Sequence, residues 1–128
     1  MSKLIAIVDD ETEMEELYEF LLEDLINDYG VKVKFFSDSR MFELWMRFNL
    51  PDLILTDISM PYLSGPELGH RIRETGHNIL TYFVSGHDEK DFKTSMKELG
   101  VSRYLSKPIN TSILIEYLKS DLGLEGPR

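Results

Sequence analysis

The chain has 128 residues, 42% hydrophobic and 29% charged, which is the size and balance of one globular domain and argues against two domains or a disordered segment. Its 14 Lys and Arg against 23 Asp and Glu leave a net charge of −9, which disfavours direct nucleic-acid binding because neutralising phosphates requires a clustered basic surface. No cysteine is present, so disulfides, thiolate metal sites and a cysteine nucleophile are excluded.

The first predicted element is the strand KLIAIVDD (3–10), an apolar run that ends on Asp9 and Asp10. Its purely apolar part, Leu4 to Val8, is far shorter than the roughly 18 residues of a membrane span and too short for a signal-peptide core. A cytoplasmic protein without a membrane partner is expected. Met14, Leu17, Tyr18, Leu21 and Leu25 then recur at helical spacing, predicting a single amphipathic first helix. The acid run Glu11, Glu13, Glu15, Glu16 and Glu19 reads as its solvated face.

VKVKFF (31–36) alternates Val31, Val33 and Phe35 with Lys32 and Lys34, the pattern of a strand at a sheet edge. A second helix is predicted over 39–48, with Met41, Phe42, Trp45 and Phe48 as its packed face. DLILTD (52–57) is a buried-looking strand that ends on Asp57, and a helix over 65–74 follows. LTYFVSG (80–86) is the fourth strand, 88–99 a fourth helix, SRYLSK (102–107) the fifth strand and 111–122 the last helix. Gly100 and Gly123 stand where helices stop. In the last helix Leu114 and Leu118 are expected to face the sheet, leaving Ile113, Ile115 and Tyr117 on the flanks as a candidate partner surface.

Strand-length runs alternating with helical periods predict an α/β protein with a parallel sheet, with residues 1–123 as one domain and 124–128 as a tail. Ligands of such sheets bind outside the carboxyl ends of the strands. Asp9 and Asp10 close the first strand, Asp57 the third, Ser85 the fourth and Lys107 the fifth, so adjacent strands would bring these groups to one edge. Three crowded carboxylates remain ionised only beside a cation. Lys107 supplies one, and an all-oxygen set suits a hard ion such as Mg²⁺. With both in place, Asp57 can attack a phosphoryl group and become an acyl phosphate.

Over nearly its whole length the chain resembles the receiver domains of two-component response regulators, such as the bacterial chemotaxis regulator. IAIVDDE resembles the family's acidic first loop, DLILTDISMPYLSGPEL its phosphoacceptor segment, FVSGH its switch strand and YLSKPI its lysine-proline segment. The resemblance implies a five-stranded doubly wound, flavodoxin-like sheet of order 2-1-3-4-5. It implies that Asp57 accepts phosphate from a histidine kinase, a phosphotransfer protein or a small phosphodonor, and that Asp9, Asp10 and the Ser59 carbonyl join Asp57 in holding Mg²⁺. It further implies that Lys107 binds the phosphoryl group, that Ser85 is the switch hydroxyl and that Tyr104 is the switch aromatic. Ser59 and His87 fall where the family borders the path of attacking water, and are expected to tune phosphoryl lifetime. A cis bond between Lys107 and Pro108 is expected on the same ground. The face around Tyr104, Ile115 and Tyr117 is expected to bind an output partner or a second copy in the phosphorylated state.

Rival chemistries fit less well. A phosphatase of the haloacid-dehalogenase type needs a second acid two residues after its nucleophile, where this chain has Ser59. A flavin carrier needs a Ser/Thr-rich phosphate loop after the first strand, and DDETEME is instead strongly anionic. The alternative kept open is a phosphate-independent adaptor. The chain is not expected to be an enzyme beyond catalysing modification of its own aspartate.

Overall fold

In the computed structural model, which describes residues 2–58, 65–74, 78–86 and 102–124, five strands form one sheet. They are β1 (Leu4–Val8), β2 (Lys32–Phe36), β3 (Leu53–Asp57), β4 (Leu80–Ser85) and β5 (Arg103–Ser106), and every neighbouring pair is parallel. Their order, β2-β1-β3-β4-β5, is the expected 2-1-3-4-5. The described helices are α1 (Met14–Leu21), α2 (Glu23–Tyr29), α3 (Ser39–Trp45), α4 (Gly65–Glu74) and α5 (Thr111–Asp121). The predicted helix over 88–99, with Gly100, lies outside the described residues.

Alternation along the central strands divides the core in two, because successive side chains point to opposite faces of a sheet. Ile5, Ile7, Leu53, Leu55, Tyr82 and Val84 form one cluster with Tyr18, Leu22 and Leu25 and with Leu114 and Leu118 of α5. Ala6, Val8 and Ile54 form the other with Phe36, Phe42 and Ile72. Helices therefore cover both faces, and the run LILTD of β3 is buried throughout. β2 lies at the edge, with Lys32 and Lys34 exposed, as its alternation predicts.

The first helix differs from its prediction. Leu22, at φ −100° and ψ 5°, separates α1 from α2. The hydrogen-bond ladder nonetheless passes through it: Leu22 N–H donates to the Tyr18 carbonyl at 2.9 Å and Ile26 N–H to the Leu22 carbonyl at 3.0 Å. The face turned to the sheet is Tyr18, Leu22 and Leu25, and Leu17, about 100° round the helix from Tyr18, is 42% exposed instead of packed. Gly30, in the left-handed region at φ 67°, ends α2.

The second predicted helix is shorter and packs a narrower face than expected. The Asp38 carboxylate accepts from Arg40 N–H at 2.8 Å as the N-cap of α3, and the helix stops at Trp45. Phe42 and Trp45 pack on Phe36, with ring centroids 5.3 and 5.2 Å away. Met41 is 57% exposed and Phe48, beyond the helix end, is 88% exposed, so neither belongs to the packed face.

Candidate functional site

The strand ends gather the predicted polar groups because β1, β3, β4 and β5 are adjacent and run in one direction. Asp9 follows β1 directly, its N–H donating to the Phe36 carbonyl at 3.0 Å, which continues the β1–β2 ladder by one step. Asp57 is the last residue of β3 and pairs in register with Val84, one residue before Ser85. Lys107 follows β5, and its N–H donates to the Ser85 carbonyl at 2.8 Å. The peptide bond between Lys107 and Pro108 is cis, as expected.

Lys107 stands at the centre of this edge. Its Nζ donates to Asp57 Oδ2 at 3.1 Å, to Asp9 Oδ2 at 3.2 Å and to Glu11 Oε1 at 3.0 Å. Asp9 and Asp57 are buried, with side chains 1% and 8% exposed. Burial raises the Asp9 pKa above the ordinary aspartate value, against the lowering effects of the Glu11 N–H bond and the Lys107 charge. Burial works against the Lys107 charge, but its hydrogen bonds to Glu11 and Asp57 and the charges of Asp9 and Asp57 outweigh it and hold its pKa above that of an ordinary lysine. The ammonium is thus fixed in its charged form.

Carboxylate oxygens of Asp9, Asp10 and Asp57 lie within 4.8 Å of one another. Two of these residues are buried and Asp10 is exposed, so the cluster is open to water on one side. Converging carboxylate oxygens with solvent access suit a hard divalent cation, which prefers oxygen ligands and keeps several waters.

Ser85 is buried at the end of β4, and Tyr104 is half-buried in β5, opposite Phe83 in register. Ser59 and His87 lie outside the described residues. Ile115 and Tyr117 are less open than expected: both are half-buried and packed against the larger core cluster. Ile113 is the more exposed member of that flank.

Two features escaped the sequence reading. Glu11, assigned to a solvated helix face, precedes α1 and binds Lys107 while its N–H donates to Asp9 Oδ1 at 2.9 Å. Its position two residues after Asp9 was the available signal. Behind the site, Asp121 of α5 accepts from the Tyr82 hydroxyl at 2.5 Å and from Arg103 Nε at 3.0 Å, joining β4 and β5 to the last helix. A groove between α3 and α4, lined by Phe42, Met46 and Ile72 and flanked by the Arg71–Glu43 ion pair, contains none of the strand-end residues.

Residues 5–119 match the family model of the response regulator receiver domain, and the chain belongs to this family. It is 33% identical to the polar-differentiation response regulator DivK of Brucella ovis, over 96% of this chain and 98% of that protein. It is 24% identical to the response regulator protein TodT of Pseudomonas putida, over 96% of this chain and 52% of that protein. The chain thus spans about half the length of TodT. Among solved structures, the N-terminal domain of an uncharacterized protein from Wolinella succinogenes superposes with a TM-score of 0.83 at 30% identity, over 97% of this chain and 96% of that one. No helix among the described residues is long and apolar enough to cross a membrane.

Proposed function

We propose that this receiver domain takes a phosphoryl group onto Asp57. The observation that carries the reading is the placement of Lys107 Nζ, 3.1 Å from Asp57 and 3.2 Å from Asp9, at the edge where the acidic cluster is open to water. Asp57 presents a carboxylate oxygen as nucleophile, and the neighbouring ammonium offers charge to the oxygens of an arriving phosphoryl group.

One Asp57 oxygen attacks phosphorus as the bond from phosphorus to the donor's leaving atom breaks, the electron pair departing with that atom. A phosphohistidine donor loses the group from nitrogen and is left as neutral imidazole, whereas an acyl phosphate donor loses it from oxygen and departs as the free carboxylate without taking up a proton. In the reverse sense of signalling, water attacks phosphorus, the bond to Asp57 breaks, and inorganic phosphate and the free carboxylate result. Asp9 and Asp10 would hold Mg²⁺ together with Asp57 and the Ser59 carbonyl, and the ion would neutralise charge on the transferring oxygens. Lys107 orients the phosphoryl group, and Ser85 and Tyr104 form the switch that carries its presence to the face around Ile115 and Tyr117. His87 and Ser59 set the lifetime. The donor is a histidine kinase or phosphotransfer protein, and the recipient of the signal is a partner protein or a second copy. The modification is self-catalysed and no free substrate is turned over.

Intact mass spectrometry after incubation with Mg²⁺ and a small phosphodonor tests this directly. Wild type gains the mass of one phosphoryl group and Asp57→Asn gains none. Uptake of acid-labile phosphate by Asp57→Asn at the wild-type rate overturns the assignment.

A further inference from the structure

Two exposed apolar faces of this chain take no part in the strand-end site. On α1, Leu17 and the ring of Phe20, 72% exposed, stand side by side outside the sheet-facing line of Tyr18, Leu22 and Leu25. Because the hydrogen-bond ladder continues through Leu22, helical spacing carries into α2 and places Glu13, Glu16, Glu23 and Asp24 around this pair. All four carboxylates are exposed, and none forms an ion pair among the described residues. On α3 and the turn after it, Met41, Leu44 and Phe48 follow the spacing of one apolar stripe, and Phe48 is 88% exposed. The turn is held to the helix, since Phe48 N–H donates to the Trp45 carbonyl at 3.1 Å and Arg47 N–H to the Leu44 carbonyl at 3.2 Å. The open charge beside this stripe has the opposite sign. Asp38 and Glu43 are bound to Arg40 and Arg71, whereas Arg47, next to Phe48, is exposed and forms no ion pair among the described residues.

We propose that these two faces bind each other, the α1 face of one copy of the chain seating on the α3 stripe of the next. Leu17 and Phe20 meet Met41, Leu44 and Phe48 at the centre, and the carboxylates around the first pair meet Arg47 at the rim. Pairing α1 with α1, or α3 with α3, would instead oppose like charges. The faces lie on opposite sides of the sheet, since Tyr18 of α1 packs in the cluster of Ile5 and Ile7 and Phe42 of α3 in that of Ala6 and Val8. The contact is therefore heterologous: each added copy leaves one α1 face and one α3 stripe open, and copies add in a row. Few side chains meet, so the association is weak and depends on concentration. It involves neither Asp57 nor the α5 flank, and so stands apart from phosphoryl transfer.

The test is sedimentation velocity of the full chain, without Mg²⁺ or the phosphoryl mimic beryllofluoride, on wild type, Phe20→Lys, Phe48→Glu and an equimolar mixture of the two variants. The sedimentation coefficient of wild type should rise as its concentration approaches about 1 mM, the range in which so small a contact shows. Phe20→Lys keeps only the α3 stripe and Phe48→Glu only the α1 face, so each alone should sediment as a monomer. Mixed, they should form a heterodimer, because the intact face of each fits that of the other, and growth should stop at two copies. Leu17→Lys and Met41→Glu, at a second residue of each face, repeat the test should either first variant fold poorly. The proposal is overturned by a wild type that stays monomeric, by either variant alone associating as wild type does, or by a mixture that stays monomeric or grows past two copies.

Discussion

The guanidinium of Arg103 lies over the ring of Tyr117, with its central carbon 3.9 Å from the ring centroid. The same guanidinium is bound to Asp121. A residue of β5 thereby covers part of the apolar flank of α5 that the sequence presents as open, and Tyr117 also meets Tyr82 edge-on at 6.3 Å. Ile113, 40% exposed, is the point on this flank where a charge can be introduced with least disturbance to the core.

If the α5 flank carries the signal, beryllofluoride with Mg²⁺ should strengthen self-association or partner capture in wild type, and Ile113→Glu should abolish that increase while leaving thermal stability within about 0.5 kcal/mol. Sedimentation with and without the mimic reads both. An increase that is the same in Ile113→Glu places the responsive face elsewhere. Ile115→Glu with Tyr117→Lys should abolish it too, but with a measurable loss of stability, because both side chains pack on the core.

Asp121 should matter for stability in a pH-dependent way. Its hydrogen bond from Arg103 is the largest influence holding its pKa below the ordinary aspartate value, with the Tyr82 hydroxyl adding to it against the effect of burial. A carboxylate with a depressed folded pKa contributes stability that is present above the unfolded value of about 3.9 and is lost as pH falls through the folded value. Asp121→Ala should therefore cost about 2 kcal/mol at neutral pH, and the gap between variant and wild type in urea unfolding should close in strong acid. A gap that widens in acid contradicts the ion pair.

Asp10 is the exposed member of the carboxylate cluster. Asp10→Ala should weaken Mg²⁺ binding by tenfold or more, as loss of a ligating carboxylate implies, yet change stability by no more than about 0.5 kcal/mol. Calorimetric Mg²⁺ titration beside a thermal melt separates the two effects. Unaltered Mg²⁺ affinity removes Asp10 from the ligand set.

α3 offers a contrast between two phenylalanines of one sequence segment. Phe42 is fully buried against Phe36, and Phe42→Ala should cost about 3–5 kcal/mol. Phe48, 88% exposed, should tolerate alanine within about 0.5 kcal/mol. Equal losses in chemical denaturation would show Phe48 packed in solution.

These contrasts indicate where the sequence was informative. Continuous apolar runs that end on a polar residue are a strong signal of strands buried on both faces, and alternation marks the edge strand, so the five strands, the edge position of β2 and the convergence of Asp9, Asp57, Ser85 and Lys107 are all legible. Helical faces were less so. Leu17 and Leu22 both satisfy the apolar period of the first helix, and only the position of the sheet decides that Leu22 is inside. Met41 and Phe48 fit the period of the second helix, but the helix ends before Phe48. The pairs formed by Glu11 and Asp121 are not legible for another reason: their partners, Lys107 and Arg103, are distant in sequence, and only the fold brings them together.

The burial of β3 on both faces has a kinetic side. Amides of Leu53–Asp57 lie between β1 and β4, so they should exchange with solvent only when the whole domain opens, while those of β2 at the margin exchange through smaller fluctuations. A group added to Asp57 would therefore be attached to a strand expected to be among the slowest to exchange. Because that support does not yield, displacement must pass to the loops and to β4 and β5, and deuterium uptake on beryllofluoride binding should change there first, with β3 keeping its protection.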